Sequence, residues 1–281
     1  SRVALAAPLT LERIEAQFAT QIVREDAVAW DDATNAVRAR HVDRLGAIVL
    51  RERPVRDPDP TRAAVLLADV ARARLGADPA ALRAFAPGGV AAPLRARVAF
   101  VRHLAETLGD PGAGRAGPWP DWSDAALARD VDAWLAPHLV GMRSWAEVDA
   151  LDVATILRGS LSRAQVAALD ALAPTHLVVP TGSRLPIDYG DPEAPTLSVR
   201  LQELFGLAET PRVGGGRVPV VLALLSPAHR PVQVTRDLAG FWRSSYFDVR
   251  RELRGRYPKH SWPEDPIRAE PTARAKRRGA E

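Results

Sequence analysis

The chain has 281 residues, 47% of them hydrophobic and 26% charged, with a formal net charge of +4 and no cysteine. That length suits about two domains with a core each, and the missing cysteine excludes disulfides, thiolate metal sites and a cysteine nucleophile. No apolar run approaches the roughly 20 residues that span a bilayer, and Ser1–Leu5 lacks the basic and apolar regions of a signal peptide, so the expected setting is cytoplasmic and away from membranes.

Residues 1–56 read as β-rich. Val3–Ala7 reads as a strand entered with no lead-in and no initiator Met, so the remaining strands of this module are expected upstream of Ser1. Thr10 stands where it can cap a helix whose apolar residues Leu11, Ile14, Phe18 and Ile22 fall at helical spacing. Val28 and Trp30 alternate before the turn-rich Asp31–Asn35, and alternation resumes over Ala36–His41, which predicts a hairpin. In its second arm Val37 and Ala39 face one way, Arg38 and Arg40 the other. A further strand, Ala47–Arg53, follows a turn at Gly46. Strands with one inserted helix suit a small, incomplete OB-like barrel.

Residues 57–172 read as helical. Asp59 with Pro60 at the first helical position opens one helix, and Asp78 with Pro79 repeats the signal. Leu94, Val98, Val101, Ala105 and Leu108 hold one face of another. Ser123 opens a third with Leu127, Val131, Trp134 and Leu135. Ser144 with Glu147 and Ser162 with Gln165 each match a capping box, the second with Leu161 and Val166 placed as a hydrophobic staple. Trp119, Trp122, Trp134 and Trp145 read as core or helix-edge packing rather than a ligand cage. The Gly/Pro-rich 109–118 reads as a flexible loop.

Residues 173–281 read as a mixed α/β domain with a basic tail, completing an α+β fold class. His176–Pro180 and Arg184–Tyr189 are strands around a Thr181–Ser183 turn, and Thr196–Leu207 alternates, then shades into a helical end. Val218–Leu225 is a continuous apolar strand and Val232–Val234 a short one. After Asp237, the residues Leu238, Phe241, Trp242, Tyr246, Val249 and Leu253 recur at helical spacing until Gly255, predicting one amphipathic helix.

Charge is concentrated here. Residues 230–281 carry a net +6 and the remainder −2. On the predicted helix Arg243, Arg250 and Arg254 share the outer face and Arg251 flanks them, while Arg256 and Lys259 extend the basic stretch. Guanidinium groups on one face can each take a phosphate, so this surface is the first candidate for nucleic acid, with Arg38 and Arg40 the second. Trp242 and Tyr246 fall on the apolar stripe and are assigned to packing. The only lysines, Lys259 and Lys276, follow no glycine-rich turn, and Gly214–Gly216 precedes Arg217, so no self-contained P-loop is present and the triglycine reads as a loop between strands. No Gly-x-Ser-x-Gly elbow occurs, and the histidines form no His-x-x-x-His pair. His260 near Glu264 and Asp265 reads as loop hydrogen bonding, and no catalytic constellation is found.

Pro174–Arg184, Asp188–Tyr189, Val199–Gly206, Thr210–Val213, Leu224–Ala228, Arg230–Thr235, Leu253–His260 and Trp262–Pro266 resemble the C-terminal domain of the HrpB family of bacterial DEAH-box helicases. Leu5–Pro8, Val28–Asp31 and Arg44–Leu50 resemble its OB-like region. The resemblance implies an ATP-dependent RNA helicase whose RecA-like motor domains, with their P-loop and DEAH-type box, are not in this chain. ATP and Mg²⁺ are then expected only in that motor, and this chain alone is not expected to be catalytic. It further implies an accessory region whose partners are single-stranded RNA or another nucleic acid and the motor domains of the same protein. The alternative is a structural module in which the arginine-rich helix and the Tyr257–Pro263 loop dock on the motor without touching RNA.

Overall fold

A computed structural model describes residues 8–107, 109 and 114–273. The expected strand Val3–Ala7, Leu108, part of the 109–118 loop and the end of the basic tail lie outside the described residues. The chain divides into two compact units that interleave in sequence, residues 1–86 with 124–156 and residues 87–123 with 157–281, so the helical stretch is shared between them.

The first unit is built on an antiparallel meander, β1 (Ile22–Asp31), β2 (Ala36–Leu45) and β3 (Ile48–Val55), in the order β1-β2-β3. Asp31 sets the hairpin turn by accepting from the Ala33 amide (3.0 Å) and the Thr34 hydroxyl (2.8 Å), while Asn35 takes the left-handed conformation. Those bonds, the Thr34 hydroxyl first, hold the Asp31 carboxyl below its ordinary value. The β2–β3 turn pivots on Gly46 at φ 57°. The β-rich reading of this region holds as an open antiparallel sheet with β1 and β3 at its edges; no barrel closes among the described residues, and the three strands by themselves do not define an OB-like fold.

The helix α1 (Leu11–Gln17) ends before Phe18, and Ile22 is the first, buried residue of β1 rather than a fourth helical turn. Thr10 makes no side-chain cap bond. α2 (Pro60–Ala77) starts as expected, the Asp59 carboxylate accepting from the Arg62 amide at 2.7 Å, and buries Ala64, Leu67, Ala71 and Leu75. Its Arg74 lies 4.6 Å from the Trp145 ring and 5.3 Å from Trp30 and donates to Asn35 (2.5 Å), so the protein's own guanidinium fills this aromatic clamp.

The second unit carries a mixed sheet of β4 (His176–Val178), β5 (Arg184–Asp188) and β6 (Thr196–Arg200), joined by strands from the later chain. A small hairpin, β7 (Arg212–Val213) and β8 (Val218–Pro219), precedes β9 (Val221–Leu225) and β10 (Pro231–Thr235), and the sheet order is β10-β9-β6-β5-β4. The predicted continuous strand 218–225 is thus two strands parted at Val220. β6 and β9 run parallel, the other pairs antiparallel. Ile187, Leu197, Val199, Leu222 and Leu224 are buried on one face, each worth about 1.5–3 kcal/mol of apolar transfer.

α3 (Ala92–Thr107) buries Leu94, Val98, Phe100, Val101 and Leu104; the fourth turn points Leu104 inward rather than the predicted Ala105. Phe100 meets Tyr189 at 5.0 Å. The triglycine is a hairpin connector, all three residues at positive φ, and Gly214 leaves only 3.0 Å between the place of a β-carbon and Leu104.

The helix predicted from Ser123 is broken at Asp130 into α4 (Asp124–Arg129) and α5 (Val131–Trp134); the Trp134 indole donates to the Leu127 carbonyl at 2.9 Å. Both capping boxes form, at the starts of α6 (Trp145–Asp149) and of α8 (Arg163–Leu172), which follows α7 (Val153–Gly159).

Candidate nucleic-acid interface

The predicted single C-terminal helix is two, α9 (Leu238–Arg243) and α10 (Tyr246–Arg256). Ser244 and Ser245 part them. Ser244 Oγ donates back to the Gly240 carbonyl at 2.7 Å, and serine competes in this way with helical continuation. α10 then runs through Gly255 and stops where Tyr257 precedes Pro258.

The aromatic side of both helices is internal. Phe205, Phe241, Trp242 and Tyr246 form one cluster, with Trp242 and Tyr246 edge to face at 5.3 Å. The Trp242 indole donates to Leu207 O at 2.8 Å and the Tyr246 hydroxyl to Pro263 O at 2.7 Å. Burial pushes the Tyr246 hydroxyl pKa up. The stretch from Tyr257 to Pro266 is a strap: the Trp262 indole donates to Tyr257 O, Arg250 Nε to Trp262 O, and the Gly206 amide to Pro266 O.

The predicted common face of Arg243, Arg250 and Arg254 assumed one continuous helix, whereas Arg243 ends α9 and Arg250 and Arg254 lie on α10. Arg250 is also redirected: its side chain is only 20% exposed and spends Nε on Trp262 O (3.0 Å), with Nη2 reaching Glu264 at 3.4 Å. Arg254 and Lys259 are exposed and have no ion pair among the described residues. Arg251 pairs with Asp248 (3.2 Å) and Arg256 with Glu252 (3.2 Å), exposed pairs of the kind that contribute little and yield easily to a competing phosphate.

Phe247, Arg250, Arg251, Arg254, Gly255 and Pro258 line a depression of about 570 Å³. Phe247 is 45% exposed beside these guanidiniums. It lies off the apolar stripe of α10, and that position was the sequence signal for an aromatic ring facing water.

The first unit holds a second basic surface. Arg38 and Arg40 stand on the exposed side of β2, opposite the buried Val37 and Ala39, as the alternation predicted. With Arg56 and Arg143 they line a trough of about 750 Å³ that also includes Asp31 and Glu147. Arg40 pairs with Glu52 (2.9 Å) and Arg143 with Asp57 (2.9 Å). Arg56 and Arg143 were missed because the sequence separates them by 87 positions; the bond from the Val37 amide to Arg143 O brings Arg143 to β2.

His260 does not bond Glu264 or Asp265; it meets Tyr257 edge to face at 6.3 Å, and burial, with Arg200 nearby, lowers its pKa. Among the described residues no cluster of His, Asp or Glu could hold a metal ion, and no helix is long and apolar enough to cross a membrane.

Comparison with known proteins places this arrangement among helicase-associated regions: residues 134–266 match the family described as ATP-dependent helicase C-terminal (HrpB_C), and residues 21–55 match the connector region of the ATP-dependent RNA helicase HrpB. The chain is 34% identical over 278 residues to the ATP-dependent RNA helicase HrpB of Escherichia coli (strain K12), covering 99% of this chain and 32% of that protein. A crystal structure of the E. coli DExH-box NTPase HrpB superposes with a TM-score of 0.68 at 34% identity, over 95% of this chain and 31% of that one. A second, of the Escherichia coli DEAH/RHA helicase HrpB, gives 0.59 at 35% identity over 86% and 29%. The chain belongs to the HrpB family, corresponding to its connector and C-terminal regions. It spans about a third of the length of the relatives it matches.

Proposed function

We propose that this chain is the accessory part of a cytoplasmic ATP-dependent RNA helicase and contributes a surface for single-stranded RNA, with ATP and Mg²⁺ handled by RecA-like motor domains of the same protein. The observation that carries the reading is the depression on α10, where Arg254, without an ion pair among the described residues, the exposed Arg251 and the ring of Phe247 stand together. Phosphates suit the guanidiniums and an unstacked base suits the ring, the combination by which single strands are held without sequence preference. Lys259 and Arg256 extend the positive field, Arg243 adds charge from α9, and Arg38 and Arg40 supply a second contact in the other unit. Arg250 supports the surface by fastening the strap. Titration of a fluorescent single-stranded RNA at two salt concentrations tests the reading. Binding that weakens as salt rises is expected, because phosphate contacts release counterions; no binding at low salt, or binding indifferent to salt, overturns it and leaves docking on the motor as the role of these arginines.

A further inference from the structure

In the second unit a cavity of about 630 Å³ opens between α3 and the more exposed side of the sheet. That is the size of a small-ligand site, and like such sites it is mostly apolar with a few polar groups. Ala92, Pro93 and Ala96 of α3 form one wall, Pro186 of β5 with Thr196 and Ser198 of β6 the other.

Two opposite charges stand in its lining. Arg97 is nearly buried, its side chain 7% exposed, and donates Nε to Ala173 O (2.6 Å) and Nη2 to Leu169 O (3.3 Å) and Asp170 Oδ1 (2.7 Å). Its Nη1 has no hydrogen-bond partner among the described residues, although a buried guanidinium is costly to leave incompletely bonded. Asp188 spends Oδ1 on the Gly190 amide (2.8 Å), and its Oδ2 has no partner among the described residues. The cavity therefore offers a fixed donor and a carboxylate with one oxygen unengaged among the described residues.

We infer that this cavity binds a guanine base. The Watson–Crick edge of guanine presents one acceptor, O6, followed by two donors, N1–H and the 2-amino group. Arg97 Nη1 donates to O6 and the Asp188 carboxylate accepts from both donors. Adenine and cytosine set an amino donor where O6 would stand, against the arginine, and uracil has a single donor for the carboxylate. Each mismatch leaves a polar group unpaired in the cavity, which is the usual source of discrimination. The base of a free guanine nucleotide and one unstacked from single-stranded RNA share this chemistry; only the RNA source rests on the proposed RNA-binding role.

The test titrates the full chain with GMP, AMP, CMP and UMP by calorimetry, and with oligouridine carrying one central G or A. GMP is expected to bind at least tenfold more tightly than the other nucleotides, and Asp188→Asn to lose at least tenfold for GMP while melting like the wild type, since asparagine Oδ1 still accepts from Gly190. Ser198→Tyr, which fills the cavity from β6, abolishes GMP binding in the same way. Arg251→Glu/Arg254→Glu leaves GMP binding intact, which separates this site from the α10 surface. A preference for the G oligonucleotide identifies RNA as the source, and a preference confined to mononucleotides identifies the free nucleotide. Equal binding of all four nucleotides, no nucleotide binding, or wild-type GMP affinity in Asp188→Asn overturns the inference.

Discussion

Arg250 and Arg254 lie four residues apart on one helix, and their surroundings differ in a way that a pair of alanine variants separates: Arg250 bonds the strap and Arg254 faces solvent. Arg250→Ala removes the charged donor from Trp262 O, a 3.0 Å bond at a side chain only 20% exposed. A hydrogen bond from a charged donor contributes about 1.5–3 kcal/mol; the pairing with Glu264, exposed and at 3.4 Å, adds little. The expected loss is about 2 kcal/mol, equivalent to a fall of about 4–8 °C in Tm for a unit of this size. Arg254→Ala removes an exposed side chain with no ion pair among the described residues, so its stability change stays within about 0.5 kcal/mol. Thermal and urea melts of both variants read the difference directly. If Arg250→Ala melts like the wild type, or Arg254→Ala falls as far, the strap does not depend on Arg250 and the expectation is refuted.

Glu147 closes a capping box by accepting from the amides of Arg143 and Ser144 and from the Ser144 hydroxyl at 2.7–2.8 Å, and these bonds, the Arg143 amide first, hold its carboxyl below the ordinary 4.5. A depressed carboxyl stabilises the fold above 4.5 and loses that contribution as pH falls through the folded value; the gap in urea midpoint between wild type and Glu147→Gln should be full at pH 7 and shrink below about pH 4.5. Gly214→Ala should cost about 2 kcal/mol in melts, from left-handed strain together with crowding of Leu104 at 3.0 Å; Gly216→Ala, at φ 84° with open space around it, should cost about half that. The His260 ring should titrate below the ordinary 6.5 by NMR, because burial and Arg200 disfavour its charged form; its contribution to stability is then present above pH 6.5 and lost as pH falls, and a titration at or above 6.5 contradicts the packing described.

Local signals in the sequence proved dependable where backbone chemistry decides the outcome. Asp59 with Pro60, the boxes at Ser144 and Ser162, and the alternation of Val37, Arg38, Ala39 and Arg40 each place an element or a face through bonds spanning a few residues. Periodicity misled where a polar residue intervened. The apolar stripe from Leu238 to Leu253 reads as one helix, yet Ser244 satisfies its hydroxyl on Gly240 O and the helix stops there, which leaves Arg243 on α9 and Arg250 and Arg254 on α10. The role of Arg250 was hidden for another reason: its partner Trp262 O belongs to a strap whose return depends on tertiary bonds from Tyr246 and Gly206. Arg56 and Arg143, and the presence of Arg97 and Asp188 in the lining of one cavity, are likewise products of chain return that spacing does not encode.

The central claim is that the α10 depression holds phosphate. Its most direct test is the salt dependence of single-stranded RNA binding by the wild type and by Arg251→Ala/Arg254→Ala. Each phosphate contact removed should lower the slope of log K against log salt by about 0.7, so the double variant should bind more weakly and with a slope shallower by about 1.4. An unchanged affinity and slope would contradict the account.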